Sequence, residues 1–407
     1  MNKPTIEEWF ILISAQISPR AVMRLLEAFS SISNVYSATK REWVERAQLT
    51  PLACDRLLKA INTNQNENIN KMNNLGIKMI PFTDNEYPAV LRTIPDPPVA
   101  LFVLGNLSKD DWKSVGIVGS RRASPYGRHV ASELAFGLVK RGFTIVSGLA
   151  LGADAAAHEG AIQGNGRTIA VLGCGVDIIY PPENYQLYDK IAATGAVISE
   201  YIPGTSPNKS HFPQRNRIIS GLSLGTVVVE APEKSGALIT ASHAIDQGRE
   251  VFAVPGSINS IQSRGTHNLL RDGATLVESA AQIAEELEFR VQQLQPKNSP
   301  IKSPSGPDWN KLVGEVDNTA TEVITRVTEI PKPERKRERP ETQVINKIEI
   351  TGDEKTVADT LSNNAIHVDE IIIKSGLPSS KVNSTLIILE LKGVILRQPG
   401  NQYLRIG

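Results

Sequence analysis

The 407-residue sequence predicts an α/β fold, in which a mostly parallel, doubly wound sheet lies between a small helical N-terminal domain and a C-terminal winged-helix domain. Three observations predict this fold. Between residues 76 and 288, short apolar runs alternate with helical patterns, as in strands that are buried on both faces of a parallel sheet. Residues 1–75 carry only helical patterns. Residues 349–407 predict three helices followed by a hairpin.

The composition predicts a soluble cytoplasmic protein. The formal net charge is +1, so any attraction to phosphate has to be local rather than global. Cys54 and Cys174 form neither a disulfide framework nor a metal-ligand pattern, and we expect no metal and no cofactor. No apolar segment resembles a signal peptide or is long enough to span a bilayer, so we expect no membrane partner.

Helix-start signals organise residues 1–75. Thr5–Glu8 and Thr39–Glu42 have the pattern of capping boxes, and Ser18 and Thr50 each precede a proline that suits the first helical turn. Four or five short helices are expected. Two roles stay open for them: contact with the DNA backbone, or docking and dimerisation.

Eight apolar runs predict the strands of the core. Ligands of such sheets bind at the carboxyl ends of the strands, so the loops that follow the strands are the candidate site. The runs are IKMI, VGIV, TIVSG, TIAVLG, AVIS, TVVVE, VFAVP and TLV.

The two remaining zones differ in character. Residues 289–348 contain seven prolines and mixed charges, which predict a disordered linker. Residues 349–407 predict helices over DEKTVADTLS, HVDEIIIKSG and PSSKVNSTLIILELKG, and a hairpin around Pro399-Gly400-Asn401. The third helix lacks the side chains that read base edges, which favours a protein contact or a weak accessory role over sequence-specific DNA binding.

Glycines are concentrated in the loops of the core. Twelve of the thirty glycines fall between Gly116 and Gly175. Gly119, Gly148 and Gly152 follow predicted strands, where glycine lets backbone amides approach a ligand closely. These loops predict a phosphate site.

The first glycine loop also carries cations. Ser120, Arg121 and Arg122 follow Gly119, and Ser124-Pro125 then predicts the start of a helix. The N-terminal end of that helix would direct partial positive charge at the loop. The alternative interpretation is a tight turn with surface arginines.

A second basic stretch, residues 203–229, contains no acid. Lys209, Arg215 and Arg217 flank His211 and Phe212, and cations interleaved with a ring suit single-stranded nucleic acid. The alternatives are a core aromatic for Phe212 and a hydrogen-bonded core histidine for His211. Two further loops add candidate phosphate contacts, namely Ser235, Gly236 and Arg264.

Other activities have little support in the sequence. The first turn has no G-x-G-x-x-G pattern and no acid ends the next strand, which excludes a dinucleotide site. Asp154, Asp177, Glu200, Glu230 and His158 form no catalytic motif, and each is expected to be a cap, a core hydrogen bond or a surface charge. We therefore predict no catalytic residues and no enzyme.

Six motifs occur in order between about residue 80 and residue 280: VGSRRASPYG, SGLALGADAAAHEGA, VLGCGVDIIYPPEN, FPQRNRIISGLS, EAPEKSGALITASHAIDQGREVFAVPG and SRGTHNLLRDGA. Together they closely resemble the DNA-processing protein A (DprA/Smf) family. The resemblance implies an extended Rossmann-like core that binds single-stranded DNA, forms a homodimer and loads the RecA recombinase during natural transformation. It also implies a DNA pocket lined by Arg121, Lys209, Phe212, Arg215 and Arg217.

The core also resembles the lysine-decarboxylase-like group, which hydrolyses nucleotide N-glycosidic bonds. That group carries P-G-G-x-G-T-x-x-E, whereas this sequence has SGLSLGTVVVE, without the double glycine and with the glutamate displaced. A nucleotide N-glycosidase is therefore the second hypothesis, and a pure protein scaffold is the third.

Overall fold

The structure, a computed structural model, describes residues 4–294 and, with gaps, the stretches 352–362, 366–378, 381–382, 385–386, 388–389, 392, 394–398 and 402–405. These residues belong to two compact units, one that ends before residue 333 and one that begins there. The architecture confirms the predicted fold class, a mostly parallel α/β sheet with a helical N-terminal part.

The N-terminal part contains six helices, one or two more than the sequence predicts. Both predicted capping boxes are present, and the two predicted prolines lie in the first turns of their helices. The helices are α1 (Ile6–Ser14), α2 (Pro19–Phe29), α3 (Ile32–Ser37), α4 (Lys40–Ala47), α5 (Pro51–Ile61) and α6 (Asn66–Asn74).

These helices share a hydrophobic core with the sheet. Phe10 of α1 and Phe102 of the sheet are both buried, with ring centroids 6.1 Å apart in an edge-to-face arrangement. Trp9, Leu12 and Leu57 belong to the same cluster of buried side chains. The predicted boundary at residue 76 therefore separates helices from strands along the chain, but the core crosses it.

Nine strands form the main sheet in the described residues, in the order β1-β2-β6-β5-β4-β3-β7-β8-β9. Neighbours from β6 through β9 are parallel, whereas β2 pairs antiparallel with both β1 and β6. The strands are β1 (Lys78–Pro81), β2 (Ala100–Gly105), β3 (Ser114–Val118), β4 (Thr144–Ser147), β5 (Thr168–Val171), β6 (Ala196–Ser199), β7 (Gly225–Val228), β8 (Glu250–Ala253) and β9 (Thr275–Leu276).

Helices cover both faces of this sheet. Successive residues of a strand point to opposite faces, so Ile117 packs in one cluster with α8, α9 and α14 while Val118 packs in the other with α11 and α12. The helices of the core are α7 (Ala89–Arg92), α8 (Pro125–Val139), α9 (Ala153–Gln163), α10 (Tyr185–Thr194), α11 (His211–Leu222), α12 (Gly236–Asp246), α13 (Arg264–Arg271) and α14 (Ala280–Leu294).

Helix α14 continues to Leu294, past residue 288, where the sequence predicts that the linker begins. The rest of the predicted linker lies outside the described residues.

The smaller unit agrees with the predicted helices and hairpin where it is described. A three-stranded sheet has the order β10-β12-β11, and its last two strands form the antiparallel hairpin. The third predicted helix lies partly outside the described residues, and so does the turn at Pro399-Gly400-Asn401. The elements are α15 (Asp353–Asp359), β10 (Ile366–His367), α16 (Val368–Ser375), β11 (Ile395–Gln398) and β12 (Gln402–Arg405).

In the described parts of both units, no helix has the length and apolar character needed to cross a membrane.

Candidate functional site

An open pocket of about 630 Å³ lies at the carboxyl ends of β3 and β7. It collects most of the residues that the sequence predicts for a site. The lining includes Gly119, Ser120, Arg121, Arg122, Lys209, Phe212, Arg215, Ser235 and Gly236. The loop after β3 and the first turns of α11 and α12 bring these residues together, although up to 117 positions separate them in the sequence.

Phe212 is half-buried on one side of the pocket. The guanidinium carbon of Arg121 lies 5.2 Å from its ring centroid, and the ring of Tyr180 lies 5.6 Å away in a tilted arrangement. Gly173 makes room for the ring, since a Cβ there would lie 2.9 Å from Phe212 Cδ1. The ring is thus fixed by its neighbours while part of it remains open to the pocket.

Arg215 forms the floor of the pocket. Its side chain is buried, and Nη1 donates a hydrogen bond to Val171 O at 2.6 Å. Gly148 is needed beside it, because a Cβ at that position would overlap the guanidinium group. Burial lowers the pKa of Arg215 to about 10, and the nearby Asp154 opposes this shift while Arg121 adds to it.

The Nε atom of Arg215 is buried and has no hydrogen-bond partner in the described residues. An unsatisfied buried donor costs free energy, so the guanidinium group of Arg215, which lines the pocket, favours an anionic acceptor placed against it. The anionic oxygen of a phosphate is such an acceptor.

Four exposed cations surround the opening of the pocket. We call Arg121, Arg122, Lys209 and Lys234 the rim cations; in the part of the chain that the structure describes, none of their side chains has an ion-pair partner. Their charge is therefore available to a ligand, and it gives a locally positive surface on a protein whose net charge is only +1.

Backbone amides of the glycine loops surround one of the protein's own carboxylates. Asp154, in the first turn of α9, accepts a hydrogen bond from Gly148 N at 3.2 Å, and the backbone of Ala150 and Gly119 also favours its charged form. Burial raises the pKa of this carboxyl, and Arg215 and the backbone hydrogen bonds oppose the rise. This differs from the sequence prediction, in which those amides hold a ligand phosphate.

A second carboxylate caps α8. Glu230 accepts hydrogen bonds from Ser124 N at 2.8 Å and from Ser124 Oγ at 2.7 Å, and Ser124 Oγ in turn accepts one from Gly127 N at 3.1 Å. The predicted cap and helix start are confirmed. The partial positive charge of the helix end is directed at Glu230. The sequence analysis expected it to be directed at a ligand instead.

Four predicted residues do not line the pocket. Gly148 and Gly152 lie beneath the pocket. Gly152 has φ of 84°, and a Cβ there would overlap Ser120 O. Only glycine therefore lets the loop after β4 pack this closely against the loop after β3. Arg264 begins α13, and its Nη1 lies 4.0 Å from Glu233 Oε1.

Arg217 faces a different cavity, on the side of the N-terminal helices. Both of its terminal nitrogens donate to Glu200, at 2.8 and 2.7 Å, and Asp96 lies 3.5 Å from its Nε. Its charge is therefore already compensated. The structure does not bring Arg217 together with the pocket residues.

The sequence analysis missed several lining residues: Asp154, Tyr180, Asn216, Lys234 and Gln262. Lys234 had an available signal, because it directly precedes Ser235-Gly236 in a loop that was already a candidate. The role of Asp154 had none, because its burial beside Gly119 and Arg215 is visible only in three dimensions. In the described residues, no cluster of His, Cys, Asp and Glu could hold a metal ion.

Comparison with known proteins gives a consistent result along the chain. The family model described as DNA recombination-mediator protein A matches residues 78–288, and the model of the DprA winged helix domain matches residues 333–401. The Protein Smf of a Synechocystis strain is 38% identical over 326 residues, which cover 79% of this chain and 78% of that protein.

Two further relatives agree. The DNA processing protein DprA of Bacillus subtilis is 47% identical over 223 residues, or 54% of this chain and 75% of that protein. The X-ray structure of DNA processing protein A from Streptococcus pneumoniae superposes with a TM-score of 0.63 at 36% identity, covering 70% of this chain and 99% of that one. The chain belongs to the DNA recombination-mediator protein A (DprA/Smf) family.

Proposed function

We propose that the pocket binds single-stranded DNA, and that the protein protects incoming strands and loads the RecA recombinase during natural transformation. The observation that carries the proposal is the buried Arg215, whose Nε lacks an acceptor at the floor of a pocket ringed by uncompensated cations. Phosphate oxygens of a DNA backbone satisfy that donor and balance the charge of the rim cations.

The ring of Phe212 supports a single strand over a duplex. Its open part lies inside the pocket, where an unstacked base can reach it but a paired base inside a duplex cannot. The lining residues that the sequence predicts are cations, glycines, serines and one aromatic ring, which contact phosphates and stack on any base. We therefore expect little sequence preference.

The test is a binding series with single- and double-stranded oligonucleotides of equal length at several salt concentrations. About four phosphate contacts give a log–log salt slope of ~−3 for a single strand. We expect that slope and a clear preference for the single strand. Equal affinity for the duplex, or no dependence on salt, would contradict the proposal.

The structure offers little support for the second hypothesis, hydrolysis of nucleotides. Glu230, the carboxylate in SGLSLGTVVVE, has both oxygens engaged by Ser124 at the start of α8. Incubation of the purified protein with AMP or CMP tests this hypothesis directly, since release of free base would support the glycosidase and overturn our assignment.

The proposed partners, besides DNA, are RecA and a second copy of this chain, and both rest on membership of the family. Loading of RecA predicts that filaments form faster on a strand already bound by this protein than on a strand coated with a single-strand-binding protein alone. Arg121→Ala provides the control, because it should lose the acceleration together with the affinity for DNA.

A further inference from the structure

The floor of the pocket contains an anion site that the protein itself fills. Glycine-loop amides and helix N-termini at the carboxyl ends of parallel strands commonly hold phosphate groups. Here Gly148 N donates to Asp154 Oδ2 at 3.2 Å, and the backbone of Gly119 and Ala150 also favours the charged form of this carboxyl group, which is 7% exposed and lies in the first turn of α9. The side-chain carboxylate has the position of a bound anion.

A second observation shows that the floor is built for anions. Arg215 is 4% exposed, lines the same pocket and has the unpartnered Nε described above. Its interaction with Asp154 is electrostatic and supports the charged guanidinium in a buried position. Asp154 therefore accepts the backbone hydrogen bond, whereas the guanidinium group of Arg215 still has a donor without a partner in the described residues.

We propose that Asp154 is a specificity-determining residue: it closes the internal anion site, so that the pocket accepts the phosphodiesters of a continuous strand and rejects free phosphate, mononucleotides and phosphorylated strand ends. This inference rests on the proposed binding of single-stranded DNA and adds which phosphates the pocket takes.

The chemistry of the two ligand classes supports this division. A phosphodiester carries one negative charge, and Arg215 with one or two rim cations can satisfy it from the side of the pocket. A phosphate monoester carries nearly two charges at neutral pH and is typically held by several backbone amides as well. Asp154 already occupies the amide of Gly148, and its own negative charge repels a dianion that approaches this end of the sheet.

Close packing surrounds the carboxylate of Asp154. A Cβ at Gly119 would lie 2.6 Å from Ala153 Cβ and 3.1 Å from Glu230 O, so the loop after β3 packs directly against the start of α9. An incoming phosphate can reach the amides only if the carboxylate leaves.

The experiment compares the full-length protein with Asp154→Ala, which empties the anion site. Asp177→Ala is the matched control: Asp177 also accepts a loop amide, from Gly204 at 2.7 Å, but does not line the pocket. Inorganic phosphate and dAMP are titrated calorimetrically. A short oligothymidylate with a 5′-hydroxyl or a 5′-phosphate end is followed by fluorescence anisotropy.

For the unmodified protein and Asp177→Ala, we expect no measurable binding of phosphate or dAMP and equal affinity for the two oligonucleotide ends. For Asp154→Ala, we expect phosphate binding and a preference of about tenfold or more for the 5′-phosphorylated end. Unchanged selectivity in Asp154→Ala, or phosphate binding by the unmodified protein, would overturn the inference.

Because Asp154→Ala also removes the charge that supports Arg215, the variant is examined by thermal unfolding with and without phosphate. A ligand that binds only the folded state raises the unfolding temperature, and this holds for a weakened variant too. We expect phosphate to raise the unfolding temperature of Asp154→Ala, and to raise that of the isosteric Asp154→Asn by less. If phosphate raises the unfolding temperature of neither variant, the inference is wrong. Absence of oligonucleotide binding by the unmodified protein would instead overturn the proposed function.

Discussion

Arg121 and Arg215 bear the same charge in the same pocket, and they differ in burial. Arg121 is exposed on the rim, whereas Arg215 is buried on the floor beside Asp154. Substitution of Arg121 should therefore change binding without changing stability. Substitution of Arg215 would change both, because the pocket floor is packed around its guanidinium group.

We expect Arg121→Ala to weaken binding of single-stranded DNA by about 1–2 kcal/mol and to reduce the salt slope, since one phosphate contact is lost. Lys209→Ala should do the same. Arg141→Ala is the matched control, because Arg141 lies just beyond the opposite end of α8, away from the pocket. An equal loss in the Arg141 variant would mean that the effect is only one of net charge.

Phe212→Ala should weaken binding by about 1–3 kcal/mol through loss of base stacking, and should leave the salt slope nearly unchanged. Anisotropy titrations at several salt concentrations measure both quantities. If the variant binds normally and only unfolds more easily, then Phe212 is a core aromatic, the alternative that the sequence left open.

His158 gives a prediction for stability against pH. Thr168 Oγ1 donates to Ile145 O and so accepts from His158 Nδ1 at 2.6 Å, which leaves the buried Nε2 unprotonated and without a partner in the described residues. Burial, reinforced by the charge of Arg215, lowers the pKa of His158 to about 3. In the unfolded chain, the same histidine binds a proton near pH 6.5. Burial of the neutral His158 therefore contributes to stability above that pH, and this contribution is lost as the pH falls towards 3.

Urea unfolding between pH 5 and 7 measures this contribution as a difference between the unmodified protein and a histidine variant. Below pH 6 we expect the slope of the unfolding free energy to approach ~1.4 kcal/mol per pH unit more than in His158→Gln. His129→Gln, which changes an exposed histidine of α8, should keep the slope of the unmodified protein. Equal slopes in all three proteins would show that His158 is accessible to protons.

The separation of Arg215 from Arg217 explains one limit of prediction from sequence. Both cations belong to one acid-free stretch, and composition alone places them in one cluster. Helical residues two positions apart lie about 200° apart around the axis, so α11 directs Arg215 to the pocket and Arg217 to Glu200. The residue types of the site were predictable, but the side of the helix was not.

At the level of elements, the local signals predicted the structure well wherever they were strong. The capping boxes, the prolines of the first turns and eight of the core strands are present. Strand β2 was missed because it follows a run of prolines and joins the sheet antiparallel, without the alternation of strand and helix that identified the others. The roles of two buried carboxylates could not be predicted: Glu230 binds Ser124, 106 positions away, and Asp154 is buried beside Arg215 of another helix.

Glycine in the first turn of α8 provides an element-scale prediction. A Cβ at Gly127 would overlap the Glu230 carboxylate that caps the helix, so Gly127→Ala should destabilise the protein by about 1–3 kcal/mol. Gly236→Ala is the matched control in the first turn of α12, where a Cβ would meet no atom within 4 Å. Urea unfolding compares the two. If Gly236→Ala lowers the free energy of unfolding by as much, the effect comes from the helix backbone and not from the cap.

At the level of the whole molecule, one pocket is too small for the proposed task. A cavity of about 630 Å³ with four rim cations contacts only a short piece of strand. Two pockets joined by a symmetric interface would turn the second contact into an intramolecular event and raise avidity by roughly 10²–10⁴. We therefore expect a homodimer through the α/β core. Ile258 and Ile261, 85% and 64% exposed on the loop after β8, are the side chains we assign to its interface.

Light scattering on the full-length chain, over the concentrations used for binding, should give the mass of a dimer. The double variant Ile258→Asp with Ile261→Asp should be monomeric, because four buried like charges would meet across a two-fold interface. It should lose affinity for long oligonucleotides and keep its affinity for short ones, which need one pocket only. Leu52→Asp, a change of the same kind at a residue of α5 that is 62% exposed, should remain dimeric. An unmodified chain that is monomeric throughout, yet binds long and short strands equally, would show that a single pocket suffices.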